Sequence, residues 1–203
     1  YIKLLLKKVV ATFYLNNLEN NQIKIYYIRL VIKIFYLFIT NHMKEDAEIN
    51  IIKDIQALPG KYKSFVTKMM RLFSLSVHHK FFMIIILVMF HLKKISLLQV
   101  LFLGTSQFIL FTIKYIVKRK RPYDCNKDIE LLENMNFDKY SFPSGHSFNA
   151  FLLYTIIKRN FNIDLNFLPF LVGLSRIYLG VHYPSDILGG IILAKIVLQF
   201  SKF

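Results

Sequence analysis

The sequence predicts an all-α, integral membrane protein, an antiparallel helical bundle of about five to six membrane helices. Three observations carry that expectation. Hydrophobic residues fill 55% of the 203 positions, and the mean hydropathy of +0.42 is above what a soluble domain needs. The formal net charge is nevertheless +15, and apolar segments joined by cationic connections match the chemistry of lipid headgroups. The apolar runs, finally, approach the ~20 residues that a bilayer demands of a helix. A basic nucleic-acid-binding protein would share the charge. Here, however, Lys and Arg are scattered among Phe, Ile and Leu, and no recognition module is evident, so no nucleic-acid partner is expected.

Residues 1–44 are apolar but interrupted by Lys3, Lys7, Lys8, Lys24, Arg29 and Lys33. They read as an N-terminal extension, with Tyr26 to Thr40 as an interfacial helix or an extra span. The chain starts at Tyr1 rather than Met, which leaves room for a further N-terminal piece. Residues 45–203 read as one membrane-embedded domain. Glu45 to Leu58 places apolar residues at 47, 51, 52, 55 and 58, a helical stripe that stops at Pro59-Gly60 and suits a membrane surface. Membrane candidates follow at Met69–Leu92, Ile95–Val117, Ser147–Ile157, Leu165–Val181 and Ile187–Phe200. The long polar connection lies between the second and third of these, at Lys118–Phe142.

Three polar patches interrupt this pattern. The first is Lys114 with Arg121-Pro122; the second is Pro143-Ser144-Gly145-His146; the third runs Ser175-Arg176, then His182 and Asp186. Patch one leaves one expected span and patch two enters the next, so both share a membrane face. One crossing and return brings patch three to that face again. Lys114, Arg121 and Arg176 are cations suited to phosphate oxygens. Ser144 and Gly145 open a helix, whose free N–H groups attract anions. One histidine can attack phosphorus while the other protonates the departing oxygen. Asp186 lies four residues after His182, within reach to fix its tautomer.

Each piece has a duller explanation. Lys118, Arg119 and Lys120 read as a basic cluster at a membrane edge, and Pro-Ser-Gly alone as a helix-capping turn. His42, His78, His79 and His91 also read as membrane-edge residues. Arg176, in contrast, sits in an apolar helix, where charge is expensive and usually functional.

Taken together, the three patches resemble the tripartite signature of the type 2 phosphatidic acid phosphatase superfamily, with every signature position filled in order. The resemblance runs from about Glu45 to the C-terminus. It implies an antiparallel helical bundle that hydrolyses a lipid phosphate without cofactor or metal. His182 is then the nucleophile that forms a phosphohistidine, oriented by Asp186, and His146 is the general acid. Lys114, Arg121, Ser144, Gly145 and Arg176 would bind the phosphoryl group, while Pro122, Pro143 and Ser175 look structural. "DKYSFPSGH" and "GLSRIYLG" look most like polyisoprenoid diphosphate phosphatases of the presqualene diphosphate type, and "LGVHYPSD" resembles bacterial undecaprenyl diphosphate phosphatases equally.

The expected partners are thus a lipid phosphate and the membrane, with polyisoprenyl diphosphate favoured over phosphatidate or sphingoid phosphate. In a eukaryote the resemblance favours the endoplasmic reticulum. The cations on the active face lean towards a cytoplasmic site. A vanadium haloperoxidase or a soluble acid phosphatase fits the hydrophobic bundle poorly. A cysteine-dependent phosphatase is excluded, since six positions after Cys125 stands Leu131 instead of Arg. The rival from another class is a catalytically silent lipid-binding scaffold, which would usually have lost a signature His or Arg.

Overall fold

The computed structural model describes residues 45–133 and 138–200, and the extension expected over 1–44 lies outside them. The described residues are helical, as expected. In order they form α1 (Glu45–Ala57), a 3-10 turn (Gly60–Tyr62), α2 (Lys63–Ser76), α3 (His79–His91), α4 (Leu97–Val117), the single turn α5 (Pro122–Cys125), α6 (Gly145–Phe161), α7 (Phe167–Tyr178) and α8 (Pro184–Gln199).

Local chemistry sets most of these boundaries. At the start of α4, Ser96 Oγ accepts from Gln99 N–H at 3.3 Å while Gln99 Oε1 accepts from Ser96 N–H at 2.7 Å. This reciprocal cap satisfies two donors that the first turn cannot satisfy itself. Ser144 caps α6 in the same way, accepting from Ser147 N–H at 3.3 Å. α6 ends at Asn162, which takes the left-handed conformation at φ 55, a role asparagine tolerates well. Pro184 opens α8, where its missing N–H does no harm.

The main core joins α3, α4, α6, α7 and α8 through Phe82, Ile86, Leu103, Phe148, Ile156, Val172 and Ala194. α6 lies at its centre and packs most extensively against α8, then α7. Its start is bound to the start of α8, because Ser144 N–H donates to Asp186 O at 3.0 Å. Lys114 in the last turn of α4 and Arg176 in the last turn of α7 reach the same cavity as His146 at the start of α6. α4 and α7 therefore run towards this end of the bundle, whereas α6 and α8 run away from it.

Two expected elements differ. The span expected over Met69–Leu92 is broken between α2 and α3, which are bent by 48°. Ser74, Ser76, His78 and His79 crowd this break, and such side chains offer the backbone alternatives to helix. α1, expected at a membrane surface, is turned onto the protein itself. Its buried face is centred on Ile49 and Ile52, which pack with Ile129 and Tyr183, while Ile51 and Leu58 of the expected stripe are exposed.

Among the described residues, α4 with α5 is the segment long and apolar enough to cross a bilayer alone, and only 22% of its most apolar window is buried. The bent pair supplies a second crossing if taken as one, so among the described residues length and composition alone mark one or two spans. α6, α7 and α8 are shorter, of 17, 12 and 16 residues. Outward-facing Leu98, Leu101 and Phe108 on α4, Ile84 and Leu87 on α3, and Phe170 on α7 leave a large apolar surface of the kind that lipid covers.

Glycine matters most where α8 crosses the Pro-Ser-Gly turn. A Cβ on Gly190 would lie 2.4 Å from Ser144 O and 3.2 Å from Phe148 N, both backbone atoms. Gly190→Ala should therefore destabilise the detergent-solubilised protein by about 1–3 kcal/mol, the usual cost of overpacking. Gly104→Ala, where a Cβ meets nothing within 4 Å, should be neutral or slightly stabilising. Paired thermal unfolding of the two variants checks this.

Candidate active site

The loops at the site end of the bundle enclose a cavity of about 240 Å³, lined among others by Lys114, Arg121, Gly145, His146, Arg176 and His182. Residues separated in sequence by up to 68 positions thus converge, as helix counting anticipates. The described structure brings all three patches to it.

The three cations are buried almost completely. Arg121 and Arg176 are each 1% exposed and Lys114 is 3% exposed. A cation so placed requires a partner, and the partners are local. Lys114 Nζ lies 3.2 Å from Asp138 Oδ1 and donates to Tyr140 O at 3.0 Å. Arg121 grips Asp138 through its backbone oxygen (2.8 Å from NH2) and carboxylate (3.1 Å), and donates to Val181 O at 2.8 Å. Arg176 NH1 lies 2.6 Å from Glu133 Oε2 and also bonds Ser74 Oγ, while its Nε is buried without a hydrogen bond. Two carboxylates therefore face three cations, and an excess of positive charge is left in the cavity.

The two signature histidines complete the wall. His182 sits in the turn between α7 and α8, its Nε2 3.4 Å from Arg121 NH1 and its Nδ1 3.4 Å from Asp186 Oδ2. The latter contact lacks hydrogen-bond geometry, and Nδ1 is buried without a hydrogen-bond partner. Burial, then the charges of Arg121, Lys114 and Arg176, hold the His182 pKa well below the ordinary 6.5. The neutral imidazole thus sets its Nε2 beside Arg121, on a cavity that Lys114 and Arg176 also line. His146 Nε2 is likewise buried without a partner, a ring nitrogen that a bound substrate can engage.

Not every expected residue faces the cavity. Ser144 is fully buried behind the wall, its hydroxyl engaged with Ser147. Asp186 lies in a further layer, where Oδ2 also accepts from Tyr183 N–H at 2.9 Å.

Several residues of the site escape a reading of sequence. Arg119, taken as part of a membrane-edge cluster, has a side chain only 12% exposed and turned onto the protein. It lies 2.8 Å from Asp186 Oδ1 and 2.7 Å from Glu48 Oε2. Its guanidinium also stacks on the Tyr183 ring at 3.6 Å. Glu48 comes from α1 and accepts from Ser185 N–H at 2.7 Å, so α1 is tied directly to the start of α8. His78 and His79, also read as edge residues, line the cavity as well, as do Gln107, Glu133, Asp138 and Asn149. No spacing in the sequence links these positions to the three patches.

Residues 95–202 match the PAP2 superfamily, more than half of the chain. The chain belongs to that superfamily. Its sequence is 32% identical over 121 residues to phosphatidylglycerophosphatase B of Bacillus subtilis, covering 53% of this chain and 56% of that one. It is 34% identical over 87 residues to the undecaprenyl-diphosphatase of Sulfolobus acidocaldarius, covering 40% and 41% respectively. The chain thus spans about half the length of the named relatives it matches. Its fold is shared with the crystal structure of a transmembrane PAP2-type phosphatidylglycerolphosphate phosphatase from Bacillus subtilis. There the TM-score is 0.68 at 23% identity, over 89% of this chain and 98% of the other.

The Arg119 bridge has a measurable consequence. Arg119→Ala leaves the carboxylates of Glu48 and Asp186 in protein without their shared cation, a change that typically costs ~3–5 kcal/mol. Unfolding in detergent should show that loss near neutral pH. The loss should shrink as pH falls, because burial already raises the Asp186 pKa and protonation of that carboxyl removes its uncompensated charge. A deficit independent of pH would contradict this account of the bridge.

Proposed function

We propose that the chain is an integral membrane phosphatase that releases inorganic phosphate from a lipid phosphate, with polyisoprenyl diphosphate as the favoured substrate. The observation that carries this reading is the convergence of Lys114, Arg121 and Arg176 with His182 and His146 on one cavity. Membership of the superfamily and the names of its matched relatives support it. The extended apolar surface around the bundle supports a membrane setting. In a eukaryotic cell that setting is the endoplasmic reticulum.

The steps follow from the geometry. The neutral His182 Nε2 donates its lone pair to phosphorus, and a P–N bond forms as the P–O bond to the leaving group breaks. Lys114, Arg121 and Arg176 stabilise the negative charge on the non-bridging oxygens throughout. Burial, then the charge of Arg176, keeps His146 neutral in the free protein; it takes up a proton when the substrate anion binds and offsets those charges, and gives that proton to the departing oxygen. Water then attacks the phosphohistidine, yielding its proton to His146, and phosphate leaves with both histidines restored. Asp186 Oδ2 stands beside Nδ1 and stabilises the cationic ring of the intermediate, while Arg119 and the Tyr183 N–H hold that carboxylate in place.

Detergent-solubilised protein should release phosphate from farnesyl diphosphate in EDTA, and His182→Ala should lower kcat by at least about 10³-fold. Phosphatidic acid offered in parallel distinguishes the substrate classes: a preference for it would move the enzyme to glycerolipids. No release from either substrate would favour the lipid-binding scaffold. His146→Ala should lose less on an aryl phosphate, whose leaving group needs no proton, than on an alkyl one.

The pH profile is a second test. Because His182 is neutral in the free protein to below the ordinary 6.5, the acid limb of kcat/KM should fall below that value. An acid limb above pH 6.5 would remove His182 as the group that must be deprotonated.

A further inference from the structure

His78 and His79 stand at the break between α2 and α3, and both line the cavity that holds His146 and His182. The His78 ring centroid is 5.8 Å from that of His146 and 4.1 Å from that of His79. His78 thus stands between neighbours, with His146 on one hand and His79 on the other. Neither the His78 nor the His79 side chain hydrogen-bonds to another described residue, so their ring nitrogens are uncommitted.

The break that carries them is fixed in place. Asn149 of α6 donates to Val77 O at 3.2 Å, and Gln107 of α4 donates to Asn149 Oδ1 at 3.0 Å. Two helices of the bundle thereby hold the residue immediately before His78. A chain bend placed by a buried amide pair is a defined part of the cavity wall.

In-line displacement at phosphorus puts the leaving oxygen opposite the attacking nitrogen. With His182 attacking and His146 protonating, the leaving group departs on the His146 side, and His78 is the imidazole packed near His146 there. The leaving group of a lipid monophosphate is an uncharged alcohol, which needs no further donors. That of a lipid diphosphate is itself a phosphate, whose oxygens need partners. The three cations are already shared with Asp138 and Glu133. The imidazoles supply additional N–H donors beyond them.

We propose that His78 and His79 form a second phosphate subsite, which holds the leaving phosphate of a lipid diphosphate and so selects diphosphates over monophosphates. This deepens the phosphatase reading and rests on it for the direction of departure.

The test compares farnesyl diphosphate with farnesyl monophosphate, which share one tail, in wild type, His78→Ala, His79→Ala and the double variant. The subsite predicts that the diphosphate-to-monophosphate ratio of kcat/KM falls about 10–100-fold in the double variant, since a hydrogen bond to a charged group is worth a tenfold effect or more. A ratio unchanged within twofold would overturn it. Binding is read separately, from the rise in thermal unfolding temperature given by inorganic pyrophosphate and by orthophosphate. Wild type should be protected more by pyrophosphate, and the double variant should lose that excess while still responding to orthophosphate. If wild type turns over neither lipid yet shows the pyrophosphate effect, the catalytic reading falls and the subsite stands. Turnover by wild type with equal losses on both lipids overturns the subsite alone.

Discussion

Burying three cations at one end of an apolar bundle is the constraint on which the rest of the molecule depends. Lys114, Arg121 and Arg176 lie within the protein, out of reach of the solvation that would satisfy them at a surface. Each needs carboxylate or carbonyl partners, and those partners lie on segments that have to be brought there. Asp138, Tyr140 and Val181 do this for Lys114 and Arg121; Ser74 and Glu133 do it for Arg176. The connection between α4 and α6 is therefore held against the bundle by its polar groups rather than by a large core of its own.

The same constraint explains how the ends of the helices are built. α6 and α8 start side by side because Ser144 N–H bonds Asp186 O, and Gly190 lets their backbones approach. The side-chain carboxylate of the same Asp186 serves Tyr183 N–H, the Arg119 guanidinium and the His182 ring region at once. α1 is joined to this assembly through Glu48 and, at its other end, through Gln56, whose amide donates to Glu130 O and Tyr178 O. A helix with the composition of a surface element thus becomes a strut for the turn that carries His182.

What the sequence made legible follows from which signals are local. Helix type and approximate extent were readable because α4, α6, α7 and α8 are apolar runs with caps at Ser96, Ser144 and Pro184 and with breaks between them. The convergence of Lys114, Arg121, His146, Arg176 and His182 was readable because crossing order decides which ends share a face. Arg119 was not readable: it stands among Lys118, Lys120 and Arg121, and only the left-handed turn at Lys118 (φ 54), together with the docking of α1, separates its fate from theirs. His78 and His79 were missed because an apolar run from Met69 to Leu92 looks continuous, and the bend that exposes them to the cavity depends on Asn149, 72 positions after Val77. Long-range pairings of single polar residues leave no periodicity to detect.

Asp138 shows how the resting charge balance bears on the chemistry. Its carboxylate oxygen lies within 3.2 Å of both Lys114 Nζ and Arg121 NH2, a position between two cations that a phosphoryl oxygen would also seek. An anion entering the cavity therefore meets donors that are already hydrogen-bonded, and must share or exchange them. The gain on binding is smaller than it would be at bare cations, since only the difference between two sets of hydrogen bonds remains. That modest difference still suits the phosphatase activity proposed for this chain. A pocket that neutralised three cations only with phosphate would hold its own product tightly, whereas one that can return Lys114 and Arg121 to Asp138 offsets the loss of phosphate when it departs. The carboxylate that weakens the encounter thus also eases release, and both effects come from the need to bury a cation without leaving it unpaired.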